Sequence, residues 1–108
     1  MNVFAVYLDG NNRTLPNRAI EWILGECDWF RLMNGRMYFV ATVEASEPLY
    51  EKFKNVLHEG DQIFMVPILK GDSSIGFLPN EAWTWLKKYF PDFLIGSEIP
   101  QYKLVAPE

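Results

Sequence analysis

The stretch "DWFRLMNGRMYFVATV" (residues 28–43) decides the fold. Asn34-Gly35 stands between two strand-like runs, and both residues tolerate the positive φ that a type I′ turn needs at its two central positions. The pattern predicts a hairpin in which residues 28–33 pair with residues 36–43. Along its second strand Met37, Phe39 and Ala41 share one face, and Tyr38, Val40 and Thr42 share the other.

Outward from the hairpin, the flanking segments repeat one pairing of element types. Residues 3–8 ("VFAVYL") form a near-continuous apolar run, as expected of a central, covered strand. "PNRAIEWILGE" (16–26) sets Ile20, Ile23 and Leu24 on one helical face with Trp22 at its flank, and Pro16 marks a helix start. On the other side "SEPLYEKFKNVLHEG" (46–60) reads as a helix. Ser46 is its expected N-cap, Leu49, Phe53, Val56 and Leu57 form its apolar stripe, and Gly60 is its expected left-handed terminator. "DQIFMVPIL" (61–69) follows as a strand. Pro67 cannot donate a ladder hydrogen bond, so this strand belongs at a sheet edge. The order strand, helix, hairpin, helix, strand is the β-α-β-β-α-β pattern of an α+β, ferredoxin-like sandwich.

The 108 residues fit one domain, residues 1–108, with a C-terminal extension from about residue 80. Within it "NEAWTWLKKYF" (80–90) reads as a helix with Asn80 as cap, "PDFLIGSEIP" (91–100) as an irregular connection, and "QYKLVA" (101–106) as a tail strand. At 49% hydrophobic residues the chain can build a core, which excludes the disordered class. No apolar run reaches membrane-spanning length. The first residues lack the basic region and cleavage site of a signal peptide, and the single Cys27 rules out an internal disulfide; both point to a cytoplasmic protein. A net charge of -4 weighs against non-specific nucleic-acid adhesion.

Few residues carry chemistry. His58 is the sole histidine, so no Ser-His-Asp or Cys-His site forms without it, and a phosphate-binding Gly-rich loop is missing. Asp9, at the end of the first strand, and Asp72 in "KGDSSIG" (70–76) are the candidate carboxylates. Asp9 is the catalytic and metal candidate, since Mg²⁺ takes oxygen ligands; the competing reading makes both ordinary turn residues. For contact with a nucleic acid or protein the candidates are Arg13, Arg18, Arg31 and Arg36. Trp85 joins them, because Trp83 and Trp85 lie two apart and cannot both occupy one apolar helical stripe.

Three segments together resemble the CRISPR-associated protein-two family and its SinR-like and virulence-associated-protein-D relatives. They are "VFAVYLD" (3–9), "WFRLMNGRMYFVATV" (29–43) and "LYEKFKNVLHEGDQIFMVPIL" (49–69); "GFLPNEAWTWL" (76–86) is similar to the end of the SinR-like proteins. The resemblance implies a ferredoxin-like homodimer. In nuclease-active members a Tyr-Asp pair ends the first strand and the aspartate is the proposed metal ligand. Here Leu8 stands between Tyr7 and Asp9, and in a regular strand that shift sends the carboxylate to the opposite face.

The expected function is accordingly a small non-catalytic scaffold, without a cofactor, in a prokaryotic or phage nucleic-acid defence or mobile-element system. One alternative is a Mg²⁺-dependent nuclease using Asp9 across a dimer. Another is an acidic phage-type inhibitor that binds a host protein. The exposed edge strand and the spare tail strand are the basis for expecting a dimer, with a protein or nucleic acid as further partner and no membrane.

Overall fold

A computed structural model of the chain describes residues 1–69 and 78–91. The chain divides into two units, Met1–Leu69 and Lys70–Glu108. The first contains strand β1 (Asn2–Asp9), helix α1 (Asn17–Leu24), strands β2 (Asp28–Leu32) and β3 (Met37–Thr42), helix α2 (Ser46–Lys54) and strand β4 (Gln62–Ile68). These strands form one antiparallel sheet in the order β2-β3-β1-β4. Helix α3 (Asn80–Lys87) belongs to the second unit. The expected tail strand and the segment holding Asp72 lie outside the described residues.

The hairpin turns at Asn34-Gly35, as its sequence predicts. Asn34 (φ 55°, ψ 34°) and Gly35 (φ 87°) both adopt positive φ, and the Arg36 N–H closes the turn on the Met33 carbonyl at 3.1 Å. This is type I′ geometry, whose twist matches that of the strands it joins. The ladder is one pair shorter than expected: it ends at Leu32 opposite Met37 because Met33 also has positive φ (51°) and leaves the strand.

β1 is the central strand. Its Phe4, Val6 and Leu8 are buried with Tyr38 and Val40 of β3 against Ile20 and Leu24 of α1 and Leu49 and Phe53 of α2. Side chains of this kind contribute about 1.5–3 kcal/mol each relative to exposure. On the other sheet face Val3, Phe39 and Ala41 are also buried, whereas Tyr7, Phe64 and Val66 are exposed. Among the described strands β4 lies at an edge of the sheet, and it contains Pro67, as that residue requires.

Three helix-end expectations need correction. Ser46 and Asn80 are the first helical residues rather than caps; Ala45 and Pro79 hold the N-cap positions, and neither end has a side-chain cap. α2 stops at Lys54, well before Gly60. Gly60 does adopt positive φ (90°), but its role is close approach: a Cβ there would lie 2.3 Å from Asn11 Nδ2. In α3 both Trp83 and Trp85 are buried, together with Ala82 and Leu86, so the helix is covered over more than one stripe. The exposed tryptophan of the described chain is Trp22 on α1, 83% accessible.

The turn carries a direct test. A Cβ on Gly35 would meet the Asn17 side chain at 2.2 Å, in a backbone region that β-branched residues avoid. Gly35→Val is expected to cost about 1–3 kcal/mol or more, read as a melting temperature lowered by several degrees. An unchanged melting curve would contradict the turn assignment.

Candidate functional site

The end of β1 opens into a cleft of about 320 Å³, walled by the loop after β1, the first residue of α1 and the hairpin turn. Asp9, Arg13, Thr14, Asn17, Asn34 and Arg36 supply its polar groups. Two chain features bring them together. The Leu8 N–H donates to the Arg36 carbonyl at 2.8 Å, which ties the strand end to the hairpin. Asn17 Nδ2 reaches the Asn34 carbonyl at 3.4 Å, which ties the start of α1 to the same turn.

Asp9 lies on the sheet side of Tyr7, not of Leu8: the Tyr7 hydroxyl donates to its Oδ2 at 3.4 Å. Leu8 points into the core, so the inserted leucine does turn the carboxylate away from the helices. Asp9 Oδ1 faces Arg36 Nη2 at 3.6 Å, and both side chains are substantially exposed. Alone, Asp9 is a poor Mg²⁺ site. That ion takes near-octahedral oxygen coordination, and here a guanidinium occupies the space beside the single carboxylate. Among the described residues no three His, Cys, Asp or Glu side chains gather at one point.

The predicted arginines separate into different roles. Arg13 is held firmly. Its guanidinium pairs with Asp61 through Nε (3.3 Å) and Nη2, and Nη2 also donates to the Val56 carbonyl at 3.3 Å. Asp61 is fully enclosed and also accepts the backbone N–H groups of Asn11 (2.8 Å) and His58 (2.7 Å). One carboxylate therefore latches the loop after β1 to the loop before β4. Arg31 pairs with Glu21 Oε2 at 3.3 Å, outside the cleft lining. Arg18 is exposed on α1. Only Arg13 and Arg36 share the cleft with Asp9. Trp85 belongs to the second unit, where its ring lies 5.0 Å from that of Tyr89 and 5.5 Å from Lys88 Nζ.

Sequence reading missed the groups that position these side chains. Tyr38 is buried with its hydroxyl donating to Glu21 Oε2 at 2.9 Å and lying 3.4 Å from Asn17 Oδ1. Burial, then the Glu21 carboxylate, pushes the Tyr38 pKa well above its ordinary value, so the phenol stays protonated. Asn17 and Glu21 are one helical turn apart, a spacing visible in sequence; that both would meet Tyr38 was not.

Comparison with protein-family models, curated proteins and solved structures gives no match.

Two measurements test the site. The Arg13 guanidinium and then the His58 and Asn11 N–H groups hold the Asp61 carboxyl far below the usual carboxylate range. A depressed folded-state pKa contributes stability above the unfolded value, about 3.9, and that contribution is lost as pH falls toward the folded value. Asp61→Asn should therefore lower the melting temperature most at neutral pH, with the gap to wild type shrinking below about pH 4. A gap that widens in acid would contradict this. Asp9→Asn and Arg36→Ala break an exposed pair and should each change stability by less than about 1 kcal/mol; unfolding in urea measures it, and a larger loss would mean the pair is structural.

Proposed function

We propose that this chain is a ferredoxin-like, cytoplasmic protein that assembles as a homodimer. Its role is that of a binding scaffold, without catalysis of its own, in a prokaryotic or phage nucleic-acid defence or mobile-element system. The sheet order supports the ferredoxin-like reading, since β1 and β3 are central, β2 and β4 are edges, and both helices of the first unit join the core on one face. The defence or mobile-element setting rests on the resemblance carried by residues 3–69.

The observation that carries a binding role is the exposed apolar surface at the β4 edge. Tyr7 and Phe64 stand opposite each other in the β1–β4 register, and Phe64 is 66% accessible. Val66 extends the patch along the strand, and Leu69 beyond it is exposed as well. Contiguous apolar surface of this kind marks contact with another molecule. Binding is favoured over hydrolysis because Asp9 offers a single exposed carboxylate, weakly paired with Arg36, where Mg²⁺ takes several oxygen ligands.

A metal-dependent nuclease is the second reading, favoured by the cleft that gathers Asp9, Arg13 and Arg36. In it Asp9 of each subunit would hold Mg²⁺, which neutralises charge on a phosphodiester, and the arginines would orient the phosphate. The two readings separate in one set of experiments. Sedimentation at micromolar concentration is expected to give a dimer. Assays on single- and double-stranded RNA and DNA with Mg²⁺ or Mn²⁺ are expected to give no cleavage that Asp9→Asn removes. A monomer would overturn the homodimer, and Asp9-dependent cleavage would put the nuclease first.

A further inference from the structure

We infer that the second copy pairs with this one edge to edge through β4, antiparallel, with the two-fold axis passing at Phe64; this rests on the homodimer reading above and specifies its surface. A single hydrogen bond fixes the direction of the β1 backbone groups. Leu8 N–H points to β3, where it meets the Arg36 carbonyl. Backbone groups alternate in direction along an antiparallel strand. Hence Leu8, Val6 and Phe4 address β3, while Asp9, Tyr7, Ala5 and Val3 address β4. Their partners in register are Gln62, Phe64, Val66 and Ile68, so the backbone groups of these four turn inward. Ile63, Met65 and Pro67 turn theirs outward.

The outer edge of β4 thus presents the N–H and C=O of Ile63 and Met65, and only a C=O from Pro67. Pro67 sits with its missing donor on the outside, where it leaves the β1 ladder intact. It also limits what can be added. A new strand running past Pro67 would meet a ring instead of a donor, so continuous pairing is confined to Gln62–Val66. The centre of that stretch is Phe64. A second β4 laid antiparallel about this centre sets Ile63 opposite Met65 of the partner subunit, and each can exchange both N–H···O=C bonds. Phe64 then meets its own copy on the face away from α1 and α2, covering the most exposed large side chain of the strand. On the helix side, the partner's β4 lies against an open apolar pocket of about 270 Å³ whose walls include Tyr50, Ile63 and Met65.

Charge selects a second copy as the occupant. A chain of net charge -4 repels itself unless the contact is neutral. β4 reads "QIFMVPI" and contains no charged residue; edge strands that stay single are commonly guarded by lysine, an inward charge or proline, and the one such guard here, Pro67, stands near the end of the strand and leaves residues 62–66 open. In the proposed register no like charges face each other within the paired strands: Gln62 lies opposite Val66, Asp61 just before them is paired with Arg13, and Glu47 stands on the wall of the adjoining pocket rather than on the strand. The result joins two four-stranded sheets into one continuous sheet.

The test uses cysteine cross-linking in a Cys27→Ala background. Residue 64 of each copy forms a non-hydrogen-bonded pair, with Cα atoms about 4.5 Å apart, within disulfide range. Phe64→Cys is expected to give a covalent dimer under mild oxidation as the main product. Val66→Cys alone is not, because the register separates the two copies of residue 66 by roughly 13 Å. Mixing the Gln62→Cys and Val66→Cys chains is expected to restore cross-linking. In the wild-type background Met65→Pro, which removes an outward N–H and leaves the β1 ladder whole, should give a monomer with an unchanged circular dichroism spectrum. A sedimenting dimer in which Phe64→Cys does not cross-link, or Val66→Cys alone does, overturns this register and leaves the homodimer standing. A dimer that survives Met65→Pro likewise overturns the β4 edge. A wild-type monomer at tens of micromolar overturns both and leaves β4 to another strand, either foreign or this chain's own residues 101–106.

Discussion

Every backbone ladder that holds the sheet across its middle runs through β1, whose alternating groups serve β3 on one side and β4 on the other. This alternation constrains the rest of the first unit. It fixes which β1 side chains enter the core, with Phe4, Val6 and Leu8 on the helix face, and so where α1 and α2 must lie. It places Asp9 on the side of Tyr7. It also dictates which backbone groups of β4 face outward, and therefore how any added strand can pair. A one-residue slip of β1 would reverse all of these together.

The hairpin was legible because its signal is local: Asn34-Gly35 specifies a turn, and the turn specifies the register. The edge position of β4 was legible for a similar reason, since Pro67 constrains its own backbone wherever it sits. Helix ends were less legible. Ser46 and Asn80 carry the side chains of caps but occupy the first helical position, and the helices start without side-chain caps. The two tryptophans of α3 were misjudged because helical periodicity separates faces but cannot reveal that more than one face is covered.

The site was legible only in part. Asp9 and Arg36 could be singled out by type and position, and the fold does bring them together. Arg13 was read as a contact residue, yet its partner Asp61 lies across the fold in the α2–β4 loop. No local pattern announces such a pair, because it arises from the β1–β4 register. The same holds for Tyr38, whose hydroxyl meets Asn17 and Glu21 only after the hairpin packs on α1. Residues that hold a site in place are long-range by construction, and a chain read in order shows them last.

The central place of β1 also sets an order of events for the growing chain. β1 is made first, but its partner β4 is made last among the strands of the first unit. The hairpin closes over a short loop on a microsecond scale, whereas β1–β4 pairing must wait for the intervening chain and its loop-closure entropy. During synthesis, at about 5–20 residues per second, β1 and β3 can pair while the opposite side of β1 has no neighbour. That side is the unpaired backbone edge of a largely apolar strand, the kind of edge that seeds aggregation between nascent chains. Placing the central strand well ahead of its edge partner in chain order thus leaves the partly made sheet, rather than the finished protein, as the most vulnerable species.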